Sequence, residues 1–209
     1  MIIGDVAAYY DRFFADHGAT PAGVDWADHE SQELRFETLL SGFDLKPGTT
    51  VLDFGCGYGA LAEYLDRLGP DLRYQGFDVV KSMIADATVR HSGQRGRTFT
   101  SNRQELVAAD LVVASGVFNV RLDAAHADWR LYVEDTLTTL RTLARQRLAF
   151  NLIPLASAPD LVRSHLFYVD PVEFGGWCRR MLDGKVSIVD GYGLWEFTVH
   201  VDLGEWDES

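Results

Sequence analysis

The stretch VLDFGCGYGAL, residues 51–61, decides how this chain folds. Apolar residues on both sides of Asp53 predict a buried strand, and Gly55, Gly57 and Gly59 follow it at two-residue spacing. Glycine adopts positive φ angles and lets the backbone approach a ligand closely. We therefore interpret the segment as a strand, a glycine-rich turn and the start of a helix.

A second predicted strand, LRYQGFDVV over residues 72–80, carries Asp78 about 20 residues after the turn. A strand-end carboxylate at this distance is typical of a βαβ unit that holds a nucleoside, with the carboxylate on the ribose hydroxyls. The dinucleotide fingerprint is G-x-G-x-x-G, whereas this chain has G-x-G-x-G preceded by Asp53. That carboxylate is poorly placed for a diphosphate and well placed for an ammonium group, so the pattern argues against NAD.

The segments DFGCGYG and QGFD, residues 53–59 and 75–78, resemble the first two motifs of the class I S-adenosylmethionine-dependent methyltransferases, in sequence and in spacing. The resemblance extends over roughly residues 45–205. It implies S-adenosylmethionine (SAM) as the cofactor, S-adenosylhomocysteine as its product, and methyl transfer to an oxygen or nitrogen of a small metabolite.

The composition agrees with such an enzyme. The chain has 209 residues, 47% of them hydrophobic, and a formal net charge of −12. This charge argues against nucleic acid as the main partner, because phosphate binding depends on clustered Lys and Arg. Two cysteines are too few for a disulfide framework, and no apolar run approaches a membrane span. We expect a cytoplasmic, metal-independent protein that works as a monomer or homodimer.

Strands that alternate with helices, followed by a terminal hairpin, predict an α/β fold with a doubly wound, mostly parallel sheet. We expect seven strands, a C-terminal antiparallel hairpin and one domain over residues 1–209. Residues 1–44 would form a helical cap and residues 45–209 a Rossmann-like core. The fourth strand is predicted over residues 109–118. The last strand, within residues 194–203, could pair with a second copy at the sheet edge, and the alternative is that the closing strands are covered.

The resemblance assigns cofactor contacts to residues that follow the strands, since ligands bind at the carboxyl ends of such sheets. The glycine turn would line the methionine end, Asp78 would bind the ribose unless it only caps a helix, and Ser101 or Asn102 would contact the adenine unless they are turn residues. The expected cofactor-binding set is Arg35, Asp53, Gly55, Cys56, Gly57, Tyr58, Gly59, Asp78, Val79, Ser101, Asn102, Ser115 and Gly116.

Arg35 is included because a guanidinium fork suits the cofactor carboxylate. The alternative is a surface ion pair with Glu33 or Glu37. Tyr9, Tyr10 and Trp26 are candidate lid residues over the substrate, and the alternative is that they pack into the core. Tyr9 and Tyr10 are adjacent, so at most one of them faces inward.

Acceptor and catalytic residues are expected after the fourth and fifth strands. Asn119 and Asn151 are candidates to orient the substrate, and His165 with Tyr168 form the candidate catalytic pair, because histidine accepts protons near neutral pH. The alternative for His165 is a structural or solvated loop histidine.

The sequence also bears on three other functions. The segment SGVFN, residues 115–119, lacks the N/D-P-P-Y/F signature of enzymes that methylate nucleic-acid bases, and it lacks the acids that aminopropyl transfer needs. A non-catalytic SAM-binding module stays open, because methyl transfer requires no obligatory catalytic side chain.

Overall fold

The computed structural model describes residues 2–155 and 162–204. Its helices are α1 (Ile2–His17), α2 (His29–Leu40), α3 (Ala60–Leu68), α4 (Lys81–Arg90), α5 (His126–Leu143) and α6 (Pro171–Met181). Its strands are β1 (Thr50–Phe54), β2 (Arg73–Phe77), β3 (Arg97–Thr100), β4 (Ala109–Ala114), β5 (Ala144–Pro154), β6 (Tyr168–Val169), β7 (Lys185–Val189) and β8 (Phe197–Asp202). Residues 156–161, part of the predicted connection after the fifth strand, lie outside the described residues.

One sheet runs through the molecule in the order β3-β2-β1-β4-β5-β8-β7. Strands β1 to β5 pair in parallel, and β8 pairs antiparallel with both β5 and β7. The predicted α/β fold with its antiparallel C-terminal hairpin is confirmed. The short β6 pairs with the end of β5 and was not predicted, because two residues carry no periodic signal.

The dimer contact predicted through residues 194–203 is wrong. Strand β8 lies between β5 and β7 and is hydrogen-bonded on both sides, so it offers no free edge to a second copy. The edge strands of the described sheet are β3 and β7.

Helices cover both faces of the sheet, and the strand side chains alternate between them. Leu52 and Phe54 pack into the core that α5 and α6 complete. Val51 packs into the core formed with α2 and α3. Asp53 lies two residues after Val51 on the same strand, so its carboxyl group points to the same face of the sheet, toward α2 and α3.

Local chemistry fixes the ends of these elements. Asp28 caps α2 by accepting a hydrogen bond from the N–H of Ser31, and Asp170 caps α6, whose first residue is Pro171. Strand β4 ends at Ala114 and not at residue 118 as predicted, because Gly116 turns the chain with a φ of +71°.

The order of the strands reverses beside β1: the chain passes from β1 to β2 and β3 on one side, and β4 lies on the other. Loops that leave β1 and β4 therefore diverge and open a crevice at the carboxyl ends of the strands. Helix α1 packs beside this crevice on α4, where the Ser82 hydroxyl donates to Asp11. Within the ranges given above, no helix has both the length and the apolar character to cross a bilayer.

Candidate functional site

The turn after β1 needs glycine for two separate reasons. Gly55, Gly57 and Gly59 have φ angles of +85°, +54° and +88°, in the left-handed region. A Cβ atom on Gly55 would also lie 2.3 Å from the Cγ2 atom of Val117. The backbone N–H of Gly55 donates to the carbonyl of Phe77 at 2.7 Å, which ties the turn to the end of β2.

Asp78 stands where β2 ends and connects that end to the glycine turn. Its Oδ2 atom accepts a hydrogen bond from the N–H of Gly57 at 2.8 Å, and its Oδ1 atom accepts one from the N–H of Val80 at 2.9 Å. Burial raises the pKa of Asp78, and the hydrogen bonds from backbone N–H groups oppose that rise. Each oxygen keeps a lone pair, so the carboxylate can accept further hydrogen bonds from a ligand.

Two adjoining cavities open beside this turn. The larger has about 690 Å³ of empty space and reaches α1 and α5, and the smaller has about 350 Å³ and reaches α2. Residues common to both are Val24, Trp26, Gly55, Gly57 and Ser115. The larger cavity is also lined by Ile3, Val6, Tyr10, Phe54, Phe77, Asp78, Val79, Met83, Gly116, Val117, Trp129 and Tyr132. The smaller is also lined by Gln32, Phe36, Asp53, Cys56, Tyr58, Ala60 and Leu61.

Asp53 lines the smaller cavity from the sheet. Its Oδ2 atom accepts a hydrogen bond from the hydroxyl of Tyr74 at 2.7 Å. Burial raises the pKa of Asp53 to about 7, although the Tyr74 hydrogen bond works in the opposite direction. A carboxyl group in this state changes its charge near neutral pH.

The other residues of the turn contribute shape rather than charge. The thiol of Cys56 is buried and faces the carbonyl of Gly57, and burial raises its pKa. The hydroxyl of Tyr58 donates to Gln32 at 3.2 Å. Gly59 directly precedes α3, and a Cβ atom there would lie 3.0 Å from the Nε2 atom of His91.

The loop after β4 brings an unpaired hydroxyl to the same place. Ser115 Oγ is buried and has no hydrogen-bond partner among the described residues, although it lines both cavities. The N–H of Gly116 donates to the amide oxygen of Asn151 at 2.6 Å. A Cβ atom on Gly116 would lie 2.6 Å from the ring of Trp26. Asn151 is fully buried and lines neither cavity, so it supports the loop from behind.

Arg35 does not pair with Glu33 or Glu37. Its Nε and Nη2 atoms donate to the carboxylate of Glu196, and its Nη1 atom donates to the carbonyl of Ser31. Both charged side chains are almost buried, with 13% and 8% of the Arg35 and Glu196 side chains exposed. The guanidinium also lies 3.6 Å from the centre of the Trp26 ring. Each of its three nitrogen atoms therefore donates to a partner within the protein.

Ser101, Asn102 and Tyr9 lie outside both cavity linings. Asn102 caps a short turn by accepting from the N–H of Gln104, and its amide donates to Glu105. The Tyr9 hydroxyl donates to Asp25 at 2.8 Å on the surface.

The predicted acceptor residues near β5 and β6 are also absent from the two linings. Asn119 is buried with an unpaired Oδ1 atom. The carbonyl of His165 accepts hydrogen bonds from the N–H groups of Arg121 and Leu122, and the hydroxyl of Tyr168 accepts one from the N–H of Arg163. His165 and Tyr168 therefore stay hypotheses without a position beside the cavity.

Of the residues on α1 and α5 that line the larger cavity, the sequence reasoning missed Trp129 and Tyr132, and it considered Tyr10 beside Tyr9 without selecting it. The signal for Tyr10 is present in the sequence. Ile3, Val6 and Tyr10 are spaced by three and four residues, which places them on one helix face, whereas Tyr9 is off that face.

These residues fit SAM. The glycine turn leaves its backbone free of side chains where the methionine part would lie, Asp78 retains acceptor capacity toward the cavity, and Ser115 has a buried hydroxyl without a partner among the described residues. Among the described residues, no group of three or more His, Cys, Asp or Glu side chains is arranged to hold a metal ion.

Comparisons with known proteins agree with this site. Residues 52–150 match the family described as methyltransferase domain. A Mycobacterium tuberculosis protein named as a methyltransferase, Rv1506c, is 37% identical over 152 residues, which cover 73% of this chain and 92% of the relative.

Two solved structures share the fold. A SAM-dependent methyltransferase from Aquifex aeolicus has a TM-score of 0.58 at 22% identity, with 83% of this chain and 93% of the other covered. Human N-acetylserotonin methyltransferase in complex with SAM has a TM-score of 0.60 at 16% identity, with 97% and 67% covered. The family match, the 37% identical relative and the shared fold together place the chain: it belongs to the methyltransferase domain family and is a class I SAM-dependent methyltransferase.

Proposed function

We propose that this enzyme transfers a methyl group from SAM to an oxygen or nitrogen atom of a small-molecule metabolite. The observation that carries this proposal is the larger cavity. It adjoins the glycine turn and Asp78, and most of its remaining lining is apolar or aromatic, including side chains of α1 and α5. A concave, largely apolar space with few polar groups suits a small molecule better than an extended polymer.

The residues that would hold the cofactor follow from the geometry. Asp78 would accept hydrogen bonds from the ribose hydroxyls, the glycine turn would face the methionine part, and Asp53 would receive the ammonium group. When bound, SAM supplies an electrophilic methyl carbon on a sulfonium centre. The protein's own contribution is to hold the acceptor in line with that carbon and to exclude water, and this needs no strong base.

The other proposed features rest on the composition of the chain and of the cavity lining. A net charge of −12 disfavours nucleic acid as the acceptor, and two free, buried cysteines suit a cytoplasmic location. A non-catalytic SAM-binding module remains the alternative, because the residues near the cavity include no obligatory catalytic group. Aminopropyl transfer is less favoured, because Asp78 is the only carboxylate that the described lining of the larger cavity contains.

Calorimetric titration of the purified protein with SAM, S-adenosylhomocysteine and NAD tests the cofactor site. We expect micromolar binding of the first two and none of NAD. Release of S-adenosylhomocysteine during incubation with a panel of small hydroxyl and amine compounds then tests transfer. Binding without release for any acceptor would favour the non-catalytic alternative, and no binding of SAM would remove the proposal.

The pKa of Asp53 gives a pH test of the ammonium contact. Since burial raises this pKa to about 7, the group is mostly neutral at pH 5.5 and mostly ionised at pH 7.5. An α-amino group stays protonated over this range, so SAM affinity should rise by about tenfold from pH 5.5 to 7.5. Asp53→Asn keeps an oxygen for the Tyr74 hydroxyl and should lose the rise. If SAM affinity rose equally with pH in the native protein and in Asp53→Asn, a contact between Asp53 and the ammonium group would be excluded.

A further inference from the structure

The side chains that line the larger cavity do not suit an anionic methyl acceptor. Among the described residues that line it there is no Lys, Arg or His, and the one charged side chain is Asp78. An acceptor with its own negative charge would meet a like charge and would lose its hydration without a cation from the protein. Trp26, Trp129 and Tyr132 contribute aromatic surface instead.

Tyr10 contributes a polar atom to this surface. Among the described residues its hydroxyl has no hydrogen-bond partner, and its ring packs edge-on against Tyr9. Burial and the nearby carboxylates of Asp25, Asp78 and Glu196 raise its pKa well above the usual range. The hydroxyl therefore stays protonated and can donate a hydrogen bond, but it cannot serve as a base near neutral pH.

From the lack of cations, the aromatic surface and the free hydroxyl of Tyr10 we propose that the methyl acceptor is an uncharged aromatic molecule. The Tyr10 hydroxyl binds this molecule by donating a hydrogen bond to its oxygen or nitrogen. This inference rests on the proposed function and narrows its substrate class. Tyr10 thus acts as a specificity-determining residue. When the acceptor is a hydroxyl oxygen, its other lone pair would bond to the methyl carbon as the carbon–sulfur bond of SAM breaks. The sulfur would keep that electron pair, giving S-adenosylhomocysteine, and the hydroxyl proton would pass to solvent water.

Two arginines contact aromatic rings of the described lining without lining the cavity themselves. Arg35 lies against Trp26, and its charge is paired with Glu196. The guanidinium of Arg103 lies 5.6 Å from the ring centre of Phe54, and Arg103 itself is exposed. An exposed guanidinium stays hydrated and screened, so it compensates a buried anion weakly. If Arg103 bound an anionic acceptor, charged ligands would bind more tightly than uncharged ones, and this result would contradict the inference.

A matched pair of ligands tests the charge preference. 2-Naphthol and 2-naphthoate have the same fused ring and differ in whether the substituent carries a charge at pH 7. Each is titrated calorimetrically into the protein saturated with S-adenosylhomocysteine. We expect 2-naphthol to bind at least about tenfold more tightly, since the carboxylate must be buried beside Asp78 without a cation to compensate its charge. Equal binding, tighter binding of 2-naphthoate, or binding of neither would overturn the inference.

Tyr10→Phe tests the hydrogen bond, because it removes the hydroxyl and keeps the ring. We expect 2-naphthol affinity to fall by about five- to tenfold while SAM affinity stays within about twofold. Tyr64→Phe on α3 serves as the control for loss of a tyrosine hydroxyl, because Tyr64 lines neither cavity. If Tyr10→Phe instead weakens SAM binding and leaves 2-naphthol binding unchanged, the hydroxyl belongs to the cofactor. Failure of the unaltered protein to bind S-adenosylhomocysteine would count against the proposed function itself.

Discussion

Replacement of Asp78 by alanine should weaken SAM binding by about a hundredfold or more, the largest loss of affinity that the structure predicts. The carboxylate has two functions at once. It offers acceptor capacity toward the ribose, and it holds the N–H groups of Gly57 and Val80. Hydrogen bonds to a charged group contribute about 1.5–3 kcal/mol each, and two lost ribose contacts amount to about a hundredfold or more.

Calorimetry with SAM measures this loss, and Asp78→Asn separates the two functions. Asparagine keeps one acceptor oxygen and introduces an N–H donor, so it should fall between the native protein and Asp78→Ala. Asp86→Asn on α4 is the control, because it removes a carboxylate from an exposed ion pair with Arg90. SAM affinity unchanged in Asp78→Ala would remove this residue from the cofactor site.

The sequence predicted the fold well because the signals that specify it are local. A buried strand, a glycine turn and a strand-end carboxylate lie within residues 51–78, and the turn imposes its geometry through backbone angles that glycine alone adopts easily. The alternating strands near the C-terminus were predicted for the same reason. Their order was not, since pairing of β8 with β5 depends on contacts about 50 residues apart.

The site could be predicted only in part. Asp78 and the glycines were found because their roles follow from position along one βαβ unit. The partner of Arg35 was missed, because Glu196 lies 161 residues away and no local pattern links them. Tyr9 was preferred to its neighbour although the helix spacing favours Tyr10, so that error was avoidable. The support of Gly116 by Asn151 was not visible, since it requires the register of β4 and β5.

The ion pair between Arg35 and Glu196 leads to the prediction with the largest effect on stability. Arg35→Leu should lower the free energy of unfolding by about 3–5 kcal/mol, because, among the described residues, it leaves a buried carboxylate with only the Asn151 amide as a partner. It also removes the cation from the face of Trp26. Urea denaturation measures the change, provided that the dependence on urea concentration stays the same.

Two further variants show whether the unpaired charge is the cause. Arg35→Leu combined with Glu196→Gln removes both charges and should recover most of the loss, because an uncharged amide is cheaper to bury. Arg67→Leu breaks the Arg67–Glu33 pair, which joins α3 to α2 with both side chains about half exposed, and should cost less than about 1 kcal/mol. If Arg35→Leu and Arg67→Leu lowered the free energy of unfolding equally, the loss in Arg35→Leu would come from packing and not from the buried charge.

The pH dependence of Arg35→Leu gives an independent check of the same cause. Burial already raises the pKa of Glu196 above its ordinary value of 4.5, with Arg35 opposing the rise. Without Arg35 the pKa rises further, so between pH 4.5 and the new value the folded state binds more protons than the unfolded state. Stability then falls as the pH increases, and the deficit of the variant should shrink toward pH 4.5. A deficit that stays constant from pH 4.5 to 8 would show that Glu196 carries no uncompensated charge.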